Sequence, residues 1–442
     1  MRYFFWSFFF CALLPFSLAA QDDFNISDNK DYFDLKFELV NDLVVIPVGI
    51  NGVELSFLLD TGVDSTVLFS LQEKDSLEIK NATVIYLRGL GEGEPVRALK
   101  STGNVAEIGS AFHSNLTFYV VYEHEISLSN RIGVPIHGIL GYDFFKDFVV
   151  EFNYTKKRLR AYKNDKYNYK SCARCEDFKL TFHKNKPYID VIAGLDGTNE
   201  FIVSLLIDSG SGDALWLFQD PKSGVVVPET YFEDFLGYGM GGSVYGLRSR
   251  IPSFKLGKFK FKEVTASFPD TLYFSGIDTY NKRNGTIGAQ ILKRFHSTFD
   301  YKNERLRLKP NKYFKDPFEY DMSGIVLAHD GYTVVKDIEN YIPQGDPNET
   351  HGGVIAFKSE VDIKYVLEPE YKIVEIRPGS PAEIEGLMID DVVLEINGRP
   401  TYKFSLEQIN KIFSAAQGKR VKLRIRRKGV EKVVSFKLEK IL

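Results

Sequence analysis

The sequence predicts a mainly β protein, built from two homologous β lobes and a small α+β domain at the C-terminal end. Three observations carry this expectation. The chain holds 36 Phe and 24 Tyr against only 4 Met and 2 Trp, and aromatic-rich chains of that kind favour strands over helical bundles. From residue 33 onward, short apolar runs alternate with Gly- and Asn-containing turns, the pattern of successive strands. Four landmarks recur in the same order at nearly constant spacing, which is the signature of an internal repeat. At 442 residues the chain also exceeds what one core usually serves, so two or three domains are expected.

The elements follow in order. Residues 1–20 read as a signal peptide: Arg2 gives a positive start, residues 3–16 are almost wholly apolar, and Ser17-Leu18-Ala19 supplies small residues for cleavage. Export to a periplasmic or extracellular space is therefore expected; the alternative is an uncleaved membrane anchor. Residues 21–30 are polar and are expected to be loose. Lobe one is placed at residues 33–162. Within it Leu43, Val44, Val45, Ile46 and Val48 lead to Asn51-Gly52, a hairpin turn signal, and the returning strand Phe57-Leu58-Leu59 delivers Asp60. Residues 163–177 form a polar linker containing Cys172 and Cys175. No second Cys pair is available for zinc and no strand–helix context for a redox motif, so the pair is expected to close a small disulfide loop.

Lobe two is placed at residues 178–312. Its Leu205-Leu206-Ile207-Asp208-Ser209-Gly210 repeats the apolar run and the Asp60-Thr61-Gly62 that ends it, at an offset of 148. Gly89-Leu90-Gly91 recurs as Gly239-Met240-Gly241, Gly138-Ile139-Leu140-Gly141 as Gly285-Thr286-Ile287-Gly288, and Phe152-Asn153-Tyr154 as Phe299-Asp300-Tyr301. Residues 318–442 make the third domain, with an insertion near 336–370. Ser405 and the spacing of Leu406, Ile409, Ile412 and Phe413 predict a capped helix, and Val421, Leu423 and Ile425 alternate with basic residues as a strand with a charged outer face.

Net charge is -3, which favours neither nucleic acid nor an anionic membrane as partner. The conspicuous chemistry is the pair of aspartates. An ionised carboxylate is rarely enclosed by apolar residues unless it is paired. Two carboxyl groups brought together cannot both ionise, so one holds a proton that the other lacks. Such a pair can activate a water with one member and protonate a carbonyl oxygen with the other. Thr61 and Ser209 offer hydroxyls to fix the two loops, and Gly62 and Gly210 let backbone N–H groups approach the carboxylates. No metal or organic cofactor is implied.

Two Asp-[Thr/Ser]-Gly motifs, followed 81 and 80 residues later by Gly141 and Gly288, resemble aspartic proteases. The short lobes are similar to the retropepsin-like branch, here fused into one chain, so the resemblance implies two retropepsin-like β-barrel lobes. It further implies an aspartic endopeptidase in which Asp60 and Asp208 are catalytic, complete in a monomer and acting on polypeptide substrates. Flaps are implied at the glycine-rich hairpins, with Gly89, Leu90, Gly91, Gly239, Met240 and Gly241 as candidates. Residues Arg377-Pro378-Gly379-Ser380-Pro381-Ala382, Gly386-Leu387 and Ile396-Asn397-Gly398 resemble an exported bacterial PDZ domain. That likeness implies binding of an extended C-terminal peptide, with Met322, Ser323, Gly324 and Ile325 as the carboxylate-holding loop. The rival reading is an inactive peptide-binding or quality-control scaffold.

Overall fold

The computed structural model describes residues 23–69, 77–89, 91, 93–121, 128–222, 224–239, 241–274, 280–344, 350–351, 354–355 and 358–442, with 337–363 as backbone only. The expected signal segment and the flap candidates Leu90 and Met240 lie outside the described residues.

The architecture is mainly β. Lobe one is a nine-stranded sheet and lobe two an eight-stranded one. In lobe one Leu43–Ile50 and Val53–Leu59 form an antiparallel hairpin, closed at Asn51 (φ 47°) and Gly52 (φ 86°), the left-handed pair that a two-residue turn needs. Its lobe-two counterpart is Lys186–Gly194 with Glu200–Ile207. A third, six-stranded sheet belongs to both lobes: Phe148–Asn153 of lobe one pairs antiparallel with Phe295–Asp300 of lobe two, and the outer strands flank them. One apolar core runs through both lobes around this sheet, with the Phe145 ring against Phe152, Phe299 and Tyr301 and Phe152 against Phe299.

One segment differs from what composition suggested, and two others take a definite form. The polar stretch up to residue 30 is anchored, from residue 23 on, rather than loose. Phe24 and Ile26 are buried, Asn25–Ile26 pairs with Ala111–Val121, and the Phe24 N–H donates to Asp147 at 2.7 Å. Two apolar side chains among polar neighbours carry too little periodicity to announce a strand. In the linker, the Tyr169 hydroxyl donates to Asp300 at 2.8 Å and its ring lies under Arg305 at 3.8 Å, while Cys172 and Cys175 are disulfide-bonded. The stretch expected as an insertion extends a hairpin, since Ile325–Gln344 and Lys358–Ile376 pair along one long antiparallel ladder.

The third domain packs Leu406–Phe413, a helix with a Ser405/Gln408 capping box, against a sheet whose edge is Ile325–Gln344. The basic face of Arg420–Arg427 is paired rather than free, with Arg424 on Glu395 and Glu431 and Arg426 on Glu370. The connection from lobe two is held by fully buried Arg294. It donates to the carbonyls of Tyr313, Asp316 and Pro317 and stacks on Phe318 at 3.8 Å.

Candidate active site

Each aspartate sits where a strand leaves its sheet. Val53–Leu59 runs parallel to Gly138–Leu140, and the Asp60 N–H donates to the Leu140 carbonyl at 2.9 Å. In lobe two Glu200–Ile207 runs parallel to Arg283–Ile287, and the Asp208 N–H donates to Ile287 at 3.0 Å. The short parallel segment is wedged between the outgoing and returning arms of the aspartate loop, pairing antiparallel with Thr66–Leu68 or Leu215–Leu217 on its other side. The next residue must be glycine: a Cβ on Gly141 would lie 2.2 Å from the Val63 carbonyl oxygen, and one on Gly288 would lie 2.2 Å from that of Asp213.

The two loops interlock across the lobe boundary. The Thr61 N–H donates to the Ser209 hydroxyl and the Ser209 N–H to the Thr61 hydroxyl, both at 3.0 Å. Each hydroxyl donates onward to the opposite strand, Thr61 to the Ile207 carbonyl at 2.8 Å and Ser209 to the Leu59 carbonyl at 2.9 Å. This pseudo-twofold set satisfies every polar group it buries, which is the condition for stability in a dry interface. It leaves the carboxyl groups face to face. Gly62 N–H donates to Asp60 at 2.7 Å and Gly210 N–H to Asp208 at 3.0 Å. A Cβ on Gly62 would meet Asp208 Cγ at 2.8 Å, and one on Gly210 would meet Asp60 Oδ2 at 2.2 Å.

The pair is electrically lopsided. Burial pushes the Asp60 carboxyl well above the usual carboxylate range, and the charge of Asp208 adds to the rise. Burial also raises Asp208, but the nearby Arg283 guanidinium and the hydrogen bond from Asp60 oppose the rise. Arg283 is fixed by its bonds to the Gly285 carbonyl at 3.1 Å and the Thr286 hydroxyl at 2.7 Å, and lies 5.0 Å from the Phe218 ring. Lys186 lowers both carboxyl groups slightly. Beneath the site, buried Tyr301 donates to the Thr61 carbonyl at 3.3 Å. Sequence reading missed Arg283. The signal was available, because the repeat offset sets it against Ile136, an apolar residue.

The glycine hairpins meet each other. Gly93 N–H donates to the Gly241 carbonyl at 2.8 Å, and a Cβ on Gly91 (φ 123°) would lie 2.2 Å from the Gly241 carbonyl carbon. Gly239 and Gly242 close the lobe-two hairpin. Gly89 sits just beyond the strand Thr83–Leu87. Of the two tyrosines near these hairpins, Tyr86 is exposed, whereas Tyr238 lies 4.6 Å from Arg131.

Met322, Ser323, Gly324 and Ile325 lead into the edge strand of the third domain, all four buried. Three of their amides are already engaged. Gly324 N–H donates to the Asp321 carboxylate at 2.5 Å, Ile325 N–H to the Ser323 hydroxyl at 3.1 Å and Met322 N–H to the Phe413 carbonyl at 3.0 Å. In this arrangement the Asp321 carboxylate, from within the chain, occupies the Gly324 amide of the candidate carboxylate-holding loop. Under it, Arg377 donates to Asp234 of lobe two at 3.1 Å and to the Asp321 carbonyl at 2.6 Å.

Two family models match the chain. Residues 46–144 match the aspartyl protease model and residues 372–427 the PDZ domain model. Among solved structures the chain is similar to the aspartic proteinase from Irpex lacteus, at 14% identity and a TM-score of 0.40, over 64% of this chain and 99% of that one. No curated protein matches it. An aspartyl-protease-type lobe and a PDZ domain thus stand in one polypeptide.

Proposed function

We propose, from an aspartyl protease lobe joined to a PDZ domain, that the chain is an exported endopeptidase in which Asp60 and Asp208 activate one water. The observation that carries the reading is the interlock of Thr61 and Ser209, which places two buried carboxyl groups against each other within one chain. A single chain therefore supplies both halves of the dyad. Asp60 keeps the shared proton and Asp208, beside Arg283, stays ionised. Asp208 takes a proton from water as the water attacks the peptide carbonyl carbon, and Asp60 donates to the carbonyl oxygen. The tetrahedral intermediate collapses when Asp208 gives the proton it took from water to the nitrogen, Asp60 takes one back from a hydroxyl as the carbonyl reforms, and the C–N bond breaks, leaving the amine and the carboxylic acid. Electrostatic complementarity to the developing oxyanion adds to the proton transfers. The hairpins that meet through Gly91, Gly93 and Gly241 act as a lid over the extended substrate, and the PDZ domain binds a second polypeptide segment.

The test is cleavage of an unfolded protein between pH 3 and 8 by the wild type, Asp60→Asn and Asp208→Asn, with and without the inhibitor pepstatin. Loss of a general acid or base lowers the rate by roughly 10²–10⁴-fold, so each variant is expected to fall by that factor. Equal cleavage by all three proteins would sink the dyad mechanism. Tight peptide binding without cleavage by the wild type would favour a binding scaffold.

A further inference from the structure

The repeat makes the two aspartates equivalent, but it does not make their neighbours so. Lys186–Gly194 pairs with Glu200–Ile207 as far as Tyr188 opposite Leu206. Two residues further in the same register, Lys186 stands across from Asp208. In lobe one, Val45 opposite Leu58 sets Leu43 across from Asp60 in the same way. The crossing segments repeat the contrast, since Ile136 and Ile139 of lobe one match Arg283 and Thr286 of lobe two at one offset. Leu43 and Ile136 are buried in an apolar cluster against which Ile139 packs. Lobe two thus carries two cations and a hydroxyl where lobe one carries three aliphatic side chains.

Both cations are partly buried, and neither forms an ion pair with a described residue. Arg283 donates only to neutral acceptors, from Nε to the Gly285 carbonyl and from Nη2 to the Thr286 hydroxyl. Its Nη1 has no acceptor among the described residues and, unlike the Nη1 atoms of Arg131 and Arg377, it keeps accessible surface. The other buried arginines are satisfied differently. Arg248 and Arg377 hold carboxylates, and every guanidinium nitrogen of Arg294 donates to a backbone carbonyl. Phe218 lies 5.0 Å from the Arg283 guanidinium, with Phe274 against it at 4.3 Å, and such apolar flanks strengthen a charge contact made beside them. Two carboxyl groups that share a proton carry one negative charge, and Lys186 and Arg283 set two positive charges beside it. A partly buried cation is ordinarily paired, so the lobe-two side of the dyad is short of one carboxylate.

We infer that the lobe-two side of the dyad is a subsite for an acidic side chain, so that the chain cleaves beside Asp or Glu. Arg283 Nη1 and the Lys186 ammonium donate to the carboxylate of the substrate residue that lobe two holds next to the scissile bond, and lobe one offers no cation at the equivalent positions. The inference rests on the dyad reading of the site and names the substrate class for it.

The test uses otherwise uncharged peptides with Phe-Glu or Glu-Phe at the central bond, each matched with a version carrying Gln for Glu. Cleavage is read as kcat/KM at about pH 6, where glutamate is ionised. One of the two Glu peptides is expected to be cleaved about tenfold faster than its Gln match, the scale of a hydrogen bond to a charged group. Arg283→Met is expected to abolish this preference, Arg283→Lys to keep part of it, and Lys186→Met to weaken it by roughly threefold, the scale of one ion pair. Because the Glu/Gln ratio is taken within each protein, the influence of Arg283 on Asp208 cancels, and a purely structural role would leave the ratio unmoved. The same peptides are bound to Asp60→Asn, which keeps both cations and disables the dyad, with affinity read by fluorescence anisotropy; the same Glu peptide is expected to bind more tightly than its Gln match. Absence of a Glu preference in both cleavage and binding overturns the inference, as does a preference that survives Arg283→Met with Lys186→Met. Selective binding of a Glu peptide without cleavage by the wild type would sink the dyad mechanism and leave the subsite standing.

Discussion

Asp60 and Asp208 are equivalent by the repeat and unequal in their surroundings, since Arg283 stands in lobe two where lobe one has Ile136. Replacing Arg283 by Met removes the cation that opposes the rise of Asp208. Under the proposed mechanism, in which Asp208 ionises to act as base, the acidic limb of the pH–rate profile is then expected to move to higher pH; an unmoved limb would separate Arg283 from the proposed chemistry. The raised Asp60 also bears on stability. A carboxyl held above its unfolded value of about 3.9 favours the fold below that pH, and its contribution is lost as pH rises through the folded value. Asp60→Asn cannot ionise, so its melting temperature should exceed that of the wild type by a margin that grows from pH 4 to pH 8. A margin independent of pH would show that Asp60 is not held protonated.

At the scale of elements, the Thr61/Ser209 exchange joins the two lobes through four hydrogen bonds. Thr61→Ala or Ser209→Ala leaves the opposite N–H buried without an acceptor, a loss of about 1–3 kcal/mol. The double variant is expected to lose less than the sum of the singles, because both remove one network. Chemical denaturation of the four proteins measures this, and strict additivity would argue that the two hydroxyls act separately. These elements were legible because their signals are local: the aspartate motif, the crossing glycines, the Asn51-Gly52 turn and the Ser405 cap each declare themselves within a few residues. What was not legible depended on distant partners. Nothing near Phe148–Asn153 indicates that it pairs with Phe295–Asp300 to build a sheet common to both lobes. Likewise, nothing in Met322-Ser323-Gly324-Ile325 shows that Asp321 fills the Gly324 amide.

Across the whole molecule, one run of charges links the PDZ domain to the loop that carries Asp208. Arg377 reaches Asp234, Asp234 reaches Arg248, and Arg248 reaches Asp213, five residues beyond Asp208. Asp213 in turn accepts from Trp216 at 2.7 Å and from Ser267 at 2.8 Å, fixing the arm of the loop that flanks Gly288. Asp234 is the common partner of both guanidiniums, whose side chains are almost wholly buried. Removing it leaves two cations short of an acceptor, and breaking a buried pair from one side costs about 3–5 kcal/mol. Asp234→Asn is therefore expected to destabilise the chain on that scale and to expose the connector after Asn311 to limited proteolysis. The companion variant Asp234→Leu/Arg377→Met removes one cation together with its acceptor and leaves Arg248 on Asp213, so it should recover part of the loss, since a buried ion pair can be replaced by apolar residues at little cost. If Asp234→Asn melts as the wild type does, the run of charges is not what holds the PDZ domain to lobe two; the docking then belongs to the apolar contact of Phe232 with Tyr320, at 5.5 Å between rings.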